Sequence, residues 1–173
     1  MGWTTPRTWV IGELVTKTML DTHLRDNLLA LKDPPSAQVM RDNAGAYTTT
    51  STTLVPVDDV NLKATLTTYG GDVLVWFAGT FSAASGTNMV LDIRVDGTDR
   101  LGDGFDGLAA QSLGTSKTII AIPPVIVPGL DAGEHSFELL WRTTGATIRL
   151  HADTTSGTAL DNVPAILAAR EVS

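Results

Sequence analysis

From Tyr47 onward, the sequence is built of short runs in which apolar and polar residues alternate, separated by glycine-containing turns. Alternation with a period of two is typical of β-strands that bury one face. The run 73–77 differs, because it is apolar on both faces. Eight runs fit a strand, at 47–57, 61–68, 72–81, 89–95, 116–127, 135–143, 147–152 and 165–172. Strands at this spacing predict a sandwich or a barrel rather than alternating βαβ units.

The chain before residue 46 has the pattern of one amphipathic helix. Thr16 is a suitable N-cap, and Asp33-Pro34-Pro35 prevents the helix from continuing. Between these signals, apolar residues recur every three or four positions, at Met19, Leu20, Leu24, Leu28 and Leu31. The helix predicted over 16–32 would be about 25 Å long at about 1.5 Å per residue.

Two interpretations of this helix are open. Its leucines can pack on the body of the same chain, as in most amphipathic helices. Alternatively, they can pack on sister helices, because Leu20, Leu24, Asn27 and Leu31 have the spacing of a short coiled coil with one polar position. A Pro-Pro spacer and the polar stretch 36–43 favour the second interpretation. We therefore expect three parts: an arm and helix over 1–33, a linker over 34–45 and a β domain over 46–173.

The composition excludes several classes of protein. Twelve basic and nineteen acidic residues give a net charge of −7, which argues against a nucleic-acid-binding face. The chain has no cysteine, and therefore neither a disulfide nor a thiolate site. Its longest apolar stretches, 73–78 and 119–127, are far shorter than the roughly 20 residues that cross a bilayer. We expect neither a nucleic acid nor a membrane among its partners.

Residues 102–108 are the strongest candidate for a small-ligand site. Their Gly-x-Gly-x-x-Gly pattern lacks the βαβ setting of a dinucleotide site. Asp103 and Asp106 make the segment a weak calcium candidate, and an acidic loop whose glycines supply positive φ is the simpler interpretation. No histidine has metal-ligand spacing, and the sequence offers no convincing acid-base pair. We expect no cofactor and no enzymatic activity.

Two stretches resemble known families. The first, Trp3-x-x-Pro6-Arg7-Thr8-Trp9-Val10-x-Gly12-Glu13 with Leu20-x-x-His23-Leu24-Arg25-Asp26-Asn27-Leu28, resembles an N-terminal segment of tailed-bacteriophage and prophage structural proteins. The rest of the chain is similar to tumour-necrosis-factor-like or complement-like jelly rolls, through Tyr69-Gly70-Gly71-x-Val73-Leu74-Val75 and Gly129-Leu130-x-Ala132-Gly133-x-His135-x-Phe137-x-Leu139-x-Trp141. Together they imply a mainly β fold, an eight-stranded jelly-roll sandwich preceded by an N-terminal arm and one amphipathic α-helix.

The same resemblance implies a homotrimeric virion protein without enzymatic activity. It would decorate the capsid exterior, held on the major capsid or tail protein by residues 1–33, which would also serve trimerisation. The attachment residues would be Trp3, Pro6, Arg7, Trp9 and Glu13. Helix association would use Leu20, Leu24, Asn27, Leu28 and Leu31. The trimer interface would use Val73, Val75, Trp76, Phe77 and Trp141.

Alternatives remain open for both the interface and the function. A strand that is apolar on both faces, such as 73–77, is either central in the sandwich or pressed against another subunit. The tryptophans of the arm can likewise fold back on their own chain. A tail-fibre or tail-tip adhesin that binds a host-surface glycan is the closest alternative function. A carbohydrate-binding module is the second.

Overall fold

The computed structural model describes residues 4–41, 46–152 and 163–172. An N-terminal arm and a helical segment precede a two-layered β-sandwich. The strands of the described residues are β1 (Ser36–Arg41), β2 (Tyr47–Thr49), β3 (Val55–Pro56), β4 (Lys63–Thr68), β5 (Gly71–Ala83), β6 (Thr87–Val95), β7 (Asp99–Arg100), β8 (Ala109–Leu113), β9 (Thr118–Leu130), β10 (Gly133–Thr143), β11 (Ile148–His151) and β12 (Ala165–Glu171).

The helical segment confirms the predicted helix. It consists of α1 (Lys17–Leu20), a π-helical turn (Asp21–Arg25) and α2 (Asp26–Lys32). The hydroxyl of Thr16 caps the segment by accepting a hydrogen bond from the backbone N–H of Met19 at 3.2 Å. The segment ends before Pro34 and Pro35, which cannot continue a helix.

The strands form two antiparallel sheets. In sheet I, β5 pairs with β9 along one edge and with β12 and β11 along the other, and β1 and β2 extend the sheet from β12 and β11. In sheet II, β10 and β6 pair at the centre, flanked by β3 and β4 on one side and by β7 and β8 on the other. The chain crosses repeatedly between the sheets, as from β4 to β5 to β6 and from β8 to β9 to β10. This arrangement confirms the predicted jelly-roll sandwich.

The strand count differs from the predicted eight in two ways. The run predicted over 47–57 contains two short strands, β2 and β3, and the strands β1, β7 and β8 were not predicted. The predicted linker over 34–45 is wrong in part, because residues 36–41 form β1 and pair with β12. Ala37 and Val39 of β1 pack against the core, and this burial stabilises the pairing of an otherwise polar stretch with the sheet.

The hydrophobic core lies between the two sheets. Its largest fully buried side chains include Phe77 and Phe81 from sheet I, and Phe137 and Trp141 from sheet II. Phe77 and Phe81 contact each other edge to face, with ring centroids 6.0 Å apart. Burial of each such side chain contributes about 1.5–3 kcal/mol, so the sandwich supplies most of the stability of the chain. None of the helices in the described residues has the length and hydrophobicity needed to span a bilayer.

Candidate functional site

The N-terminal segment, residues 4–32, lies outside the hydrophobic core. Its buried residue is Asn27, at 5% exposure. The large apolar side chains of this segment are exposed, namely Trp9, Val10, Ile11, Leu14, Val15, Leu20, Leu24, Leu28, Leu29 and Leu31. The end of the helix approaches the sandwich, where Ala30 and Leu31 line a cleft with Tyr69. The helix therefore does not bury its leucines on the body of its own chain.

A tight turn shapes the tip of the arm. The N–H of Glu13 donates to the carbonyl of Val10 at 3.1 Å, and Gly12 at the third position has a φ of 83°. A type II turn requires a positive φ at this position, which favours glycine. Ile11 stands at the tip and is fully exposed. The arm thus presents an apolar tip to its surroundings.

Three of the predicted attachment residues form one cluster beside this turn. The carboxylate of Glu13 pairs with the guanidinium of Arg7. The guanidinium carbon of Arg7 lies 5.4 Å from the centroid of the Trp9 ring, within the range of a cation–π contact. Pro6 is exposed near this cluster, and Trp3 lies outside the described residues. The sequence could not show this grouping, because it depends on the turn.

Asn27 fastens the arm to the helix. Its side-chain oxygen accepts a hydrogen bond from the backbone N–H of Thr4 at 2.8 Å, and its side-chain nitrogen donates to the carbonyl of Thr4 at 2.8 Å. The same nitrogen lies 3.3 Å from the carbonyl of His23. These contacts correct the predicted role of Asn27 in joining helices of different copies, since its amide is used within the chain.

The other four predicted helix-association residues are exposed leucines. We call Leu20, Leu24, Leu28 and Leu31 the leucine stripe. Each of these leucines is exposed by 44–66%, and none belongs to the core. The arm covers the neighbouring face around Asn27 and leaves the stripe uncovered.

Four of the five predicted trimer-interface residues are core residues of a single chain. Val73, Val75, Phe77 and Trp141 are each at most 2% exposed and belong to the hydrophobic core. Their side chains point between the two sheets, so they have no surface to offer a partner. This corrects the prediction for these four residues. Trp76 lies on the opposite face of β5 and is partly exposed.

The outer face of sheet I is apolar. Leu74 and Trp76 of β5 lie on it, together with residues of the neighbouring strands that occupy the same register rows. We call this surface the sheet I face, and define it by Met40, Leu74, Trp76, Ile119, Ile126 and Ile166. Met40, Ile119 and Ile126 are each at least half exposed. The exposed Arg170 lies opposite Leu74 on the same side of the sheet, so the sheet I face is an apolar patch beside a charged side chain. Such a patch is a candidate interaction site.

One feature of the sequence indicates this face. The run 73–77 is apolar on both sides, and the structure assigns one side to the core and the other to the surface. Met40, Ile119, Ile126 and Ile166 were not predicted as site residues. Ile119, Ile126 and Ile166 lie in runs that fit ordinary half-buried strands, since the pattern does not distinguish an apolar outer face from a core face. Met40 lies in the stretch that was predicted as a linker.

The outer face of sheet II carries charges instead. Glu138 of β10 lies between Lys63 of β4 and Arg94 of β6, with a Lys63 Nζ to Glu138 Oε1 distance of 2.9 Å. Burial raises the pKa of the Glu138 carboxyl, but hydrogen bonds from Arg94 and Lys63 outweigh burial and leave the pKa below its ordinary value. On the same face, Arg100 pairs with Asp92 at 2.7 Å. Both carboxylates are buried beneath their partly exposed basic partners, so the outer face of sheet II is built from ion pairs rather than apolar side chains.

Close packing requires two glycines of the loop at 102–108, whereas Gly104 has a φ of 80°, which favours glycine. A Cβ on Gly102 would lie 2.9 Å from Gly107, and a Cβ on Gly107 would lie 2.6 Å from the carbonyl oxygen of Leu91. The two calcium candidates do not converge: Asp103 is exposed, and Asp106 pairs with Arg142 at 3.0 Å. Within residues 4–41, 46–152 and 163–172, no group of three or more possible ligands is placed to hold a metal ion.

Comparison with solved structures finds remote matches. A tumour-necrosis-factor protein, Eiger from S. frugiperda, shares 14% identity at a TM-score of 0.45, over 82% of this chain and 94% of that chain. Infectious bursal disease virus, Gx strain, matches at 9% identity and a TM-score of 0.37, over 80% of this chain and 36% of that chain. A family two carbohydrate esterase from Cellvibrio japonicus matches at 12% identity and a TM-score of 0.28, over 79% of this chain and 34% of that chain.

The chain thus spans about a third of the length of the viral protein and of the esterase. Similarity at this level concerns architecture and carries no argument about what the chain binds. No protein-family model matches the sequence, and no curated protein matches it significantly.

Proposed function

We propose that the chain is a non-enzymatic structural protein of a tailed-phage virion, which assembles as a homotrimer and is held on the particle by its N-terminal segment. The observation that carries the proposal is the N-terminal segment, which lies outside the core with its apolar side chains exposed. The resemblance of this segment to those of phage structural proteins supports the same assignment.

The helix needs a partner for physical reasons. Isolated helices shorter than about 12–15 residues are marginal in water, and most helical stability in proteins comes from packing of the apolar face. The segment 17–32 is close to this limit and leaves the leucine stripe open. Each fully buried leucine contributes about 1.5–3 kcal/mol, so packing the stripes of several copies together would stabilise the helices.

The two outer faces of the sandwich support self-association in a fixed orientation. The sheet I face is apolar, with Trp76 at its centre, whereas the outer face of sheet II carries the row of Lys63, Glu138 and Arg94. Copies arranged around a threefold axis would cover the sheet I face and leave sheet II in water. Closed symmetry of this kind covers the same surface in every copy.

The arm is proposed to bind the particle. Its exposed apolar tip around Ile11, supported by the cluster of Arg7, Trp9 and Glu13, is suited to insertion into a neighbouring capsid or tail protein. The net charge of −7 would then keep the exterior of the virion soluble.

Sedimentation of the full chain tests the assembly. Three copies of 18.3 kDa give a mass of about 55 kDa, which we expect at micromolar concentration. Trp76→Asp places a charge at the centre of the sheet I face and should give a monomer that is still folded. Val60→Asp is the matched control, because Val60 is 76% exposed and lies outside the sheet I face. A monomeric wild-type chain would refute the assembly.

Binding to particles tests attachment separately. Ile11→Asp should leave the trimer intact and abolish co-sedimentation with virions that lack their own copy of the protein. Imaging of reconstituted particles should then show the wild-type protein on the capsid exterior. Full retention of Ile11→Asp on the particles would contradict the role of the arm, and density confined to the tail tip would favour the adhesin instead.

A further inference from the structure

We propose that the outer face of sheet II carries a binding groove for a neutral oligosaccharide. The groove crosses β10, β6 and β8 and continues over the loop at 102–108. This inference goes beyond the proposed assembly and does not depend on it, because the groove lies on the face opposite to the sheet I face. The groove therefore stays open whether the chain is a monomer or a trimer.

The first half of the groove has an apolar floor and a polar rim. Val90 lies opposite Arg142 in the register of β6 and β10, and opposite Ala110 in the register of β6 and β8. In the next row, Asn88 lies opposite Ser112. These residues line a cavity of about 290 Å³. Six of the eight lining residues are polar or charged, so this half of the groove suits a ligand rich in hydrogen-bonding groups.

The second half begins at the ion pair of Arg142 and Asp106, which lines both halves. It has a volume of about 560 Å³ and is lined by Phe105 and the hydroxyl side chains of Thr52 and Thr53. Phe105 is 79% exposed, so its ring is accessible to a ligand. An elongated ligand could fill both halves, with Arg142 and Asp106 near its middle.

The available groups point to a carbohydrate rather than a peptide. The backbone amides beneath the groove are already paired within sheet II, so a ligand must be recognised through side chains. In the part of the chain that the structure describes, the carboxamide of Asn88 has no hydrogen-bond partner. Carboxamide, guanidinium and hydroxyl groups can each pair with the hydroxyls of a sugar, and the face of Phe105 can pack on the C–H groups of a sugar ring.

The charges of the groove favour a neutral ligand. Arg142 is paired with Asp106, and Arg100 is paired with the fully buried Asp92. Each guanidinium in the groove thus already faces a carboxylate, and the exposed Asp103 adds negative charge nearby. An acidic glycan would have to displace a carboxylate and approach a chain of net charge −7. A neutral oligosaccharide neither has to displace a carboxylate nor is repelled by the net charge of the chain.

The test uses the full chain and defined sugars. Saturation-transfer NMR and calorimetry would be run with neutral trisaccharides of glucose, galactose, mannose and N-acetylglucosamine, and with sialyllactose as the acidic comparison. We expect at least one neutral sugar to bind. Phe105→Ala and Asn88→Ala should each weaken that binding by about tenfold, whereas Val60→Ala, outside the groove, should leave it unchanged.

Three results would overturn the proposal: no neutral sugar binds, the groove variants bind like the wild type, or sialyllactose binds best. Sedimentation of the same samples separates this inference from the proposed assembly. A chain that forms trimers and binds none of the sugars refutes the groove alone, and a monomer that binds a neutral sugar through Phe105 refutes the assembly alone.

Discussion

Replacing Asn27 by alanine should release the arm while leaving the sandwich folded. The side chain makes two hydrogen bonds of 2.8 Å to the backbone of Thr4, one as acceptor and one as donor. At a net value of about 0.5–1.5 kcal/mol each, their loss weakens the attachment of the arm by about 1–3 kcal/mol. This corresponds to an increase of about 5-fold to 150-fold in the ratio of open to closed arms.

Amide hydrogen exchange measures this ratio directly. Exchange of the Thr4 amide, which donates to Asn27, should accelerate by the same factor, because opening of the arm limits its protection. Amides of β5 and β10 should exchange as in the wild type. Asn61→Ala is the matched control, since the Asn61 carboxamide bonds to Asp58 in a loop of the sandwich. Unchanged exchange of the Thr4 amide in Asn27→Ala would refute the role assigned to this side chain.

Two further predictions concern the sandwich. Gly107→Ala should lower the free energy of unfolding by about 1–3 kcal/mol, because its Cβ would lie 2.6 Å from the carbonyl oxygen of Leu91. Urea denaturation checks this against Gly86→Ala, where the added Cβ meets nothing within 4 Å, and equal midpoints for the two variants would contradict it. Glu138 has a lowered pKa in the folded chain, so its contribution to stability is present above its ordinary pKa of 4.5 and is lost as the pH falls through the folded value. Glu138→Gln should therefore make stability less dependent on pH below about 4.5, and an unchanged acid profile would show that the carboxylate is not stabilised by Arg94 and Lys63.

The sequence predicted the strands of the sandwich well where burial on one face imposes alternation. The runs 89–95 and 135–143 correspond to β6 and β10, because their core residues must occupy every second position. The pattern failed for β1, where the core contacts are limited to small or partly buried side chains such as Ala37 and Val39. It also failed for the two-residue strand β7, which is too short to show any period.

The candidate site was less predictable, for two physical reasons. Asn27 has its partner in the backbone of Thr4, and backbone groups carry no sequence signal. The run 73–77 shows that both faces of β5 are apolar, but only the three-dimensional arrangement reveals which side faces the other sheet. Spacing thus located the helix and its stripe, whereas the assignment of Val73 to the core and of Trp76 to the surface required the structure.

The contact between Asn27 and Thr4 has a consequence for how the helices can wind around each other. With Asn27 turned towards the arm, the open positions are Leu20, Leu24, Leu28 and Leu31, at steps of four, four and three. Eleven residues over three turns is about 3.67 residues per turn, slightly more than the 3.6 of a straight α-helix, and such a period gives a right-handed supercoil. The π-helical turn within this stretch is wound more loosely still. That turn brings the period of the helix itself closer to the period of the stripe, so helices joined along it would form a nearly straight stalk, unlike the left-handed winding of a heptad repeat.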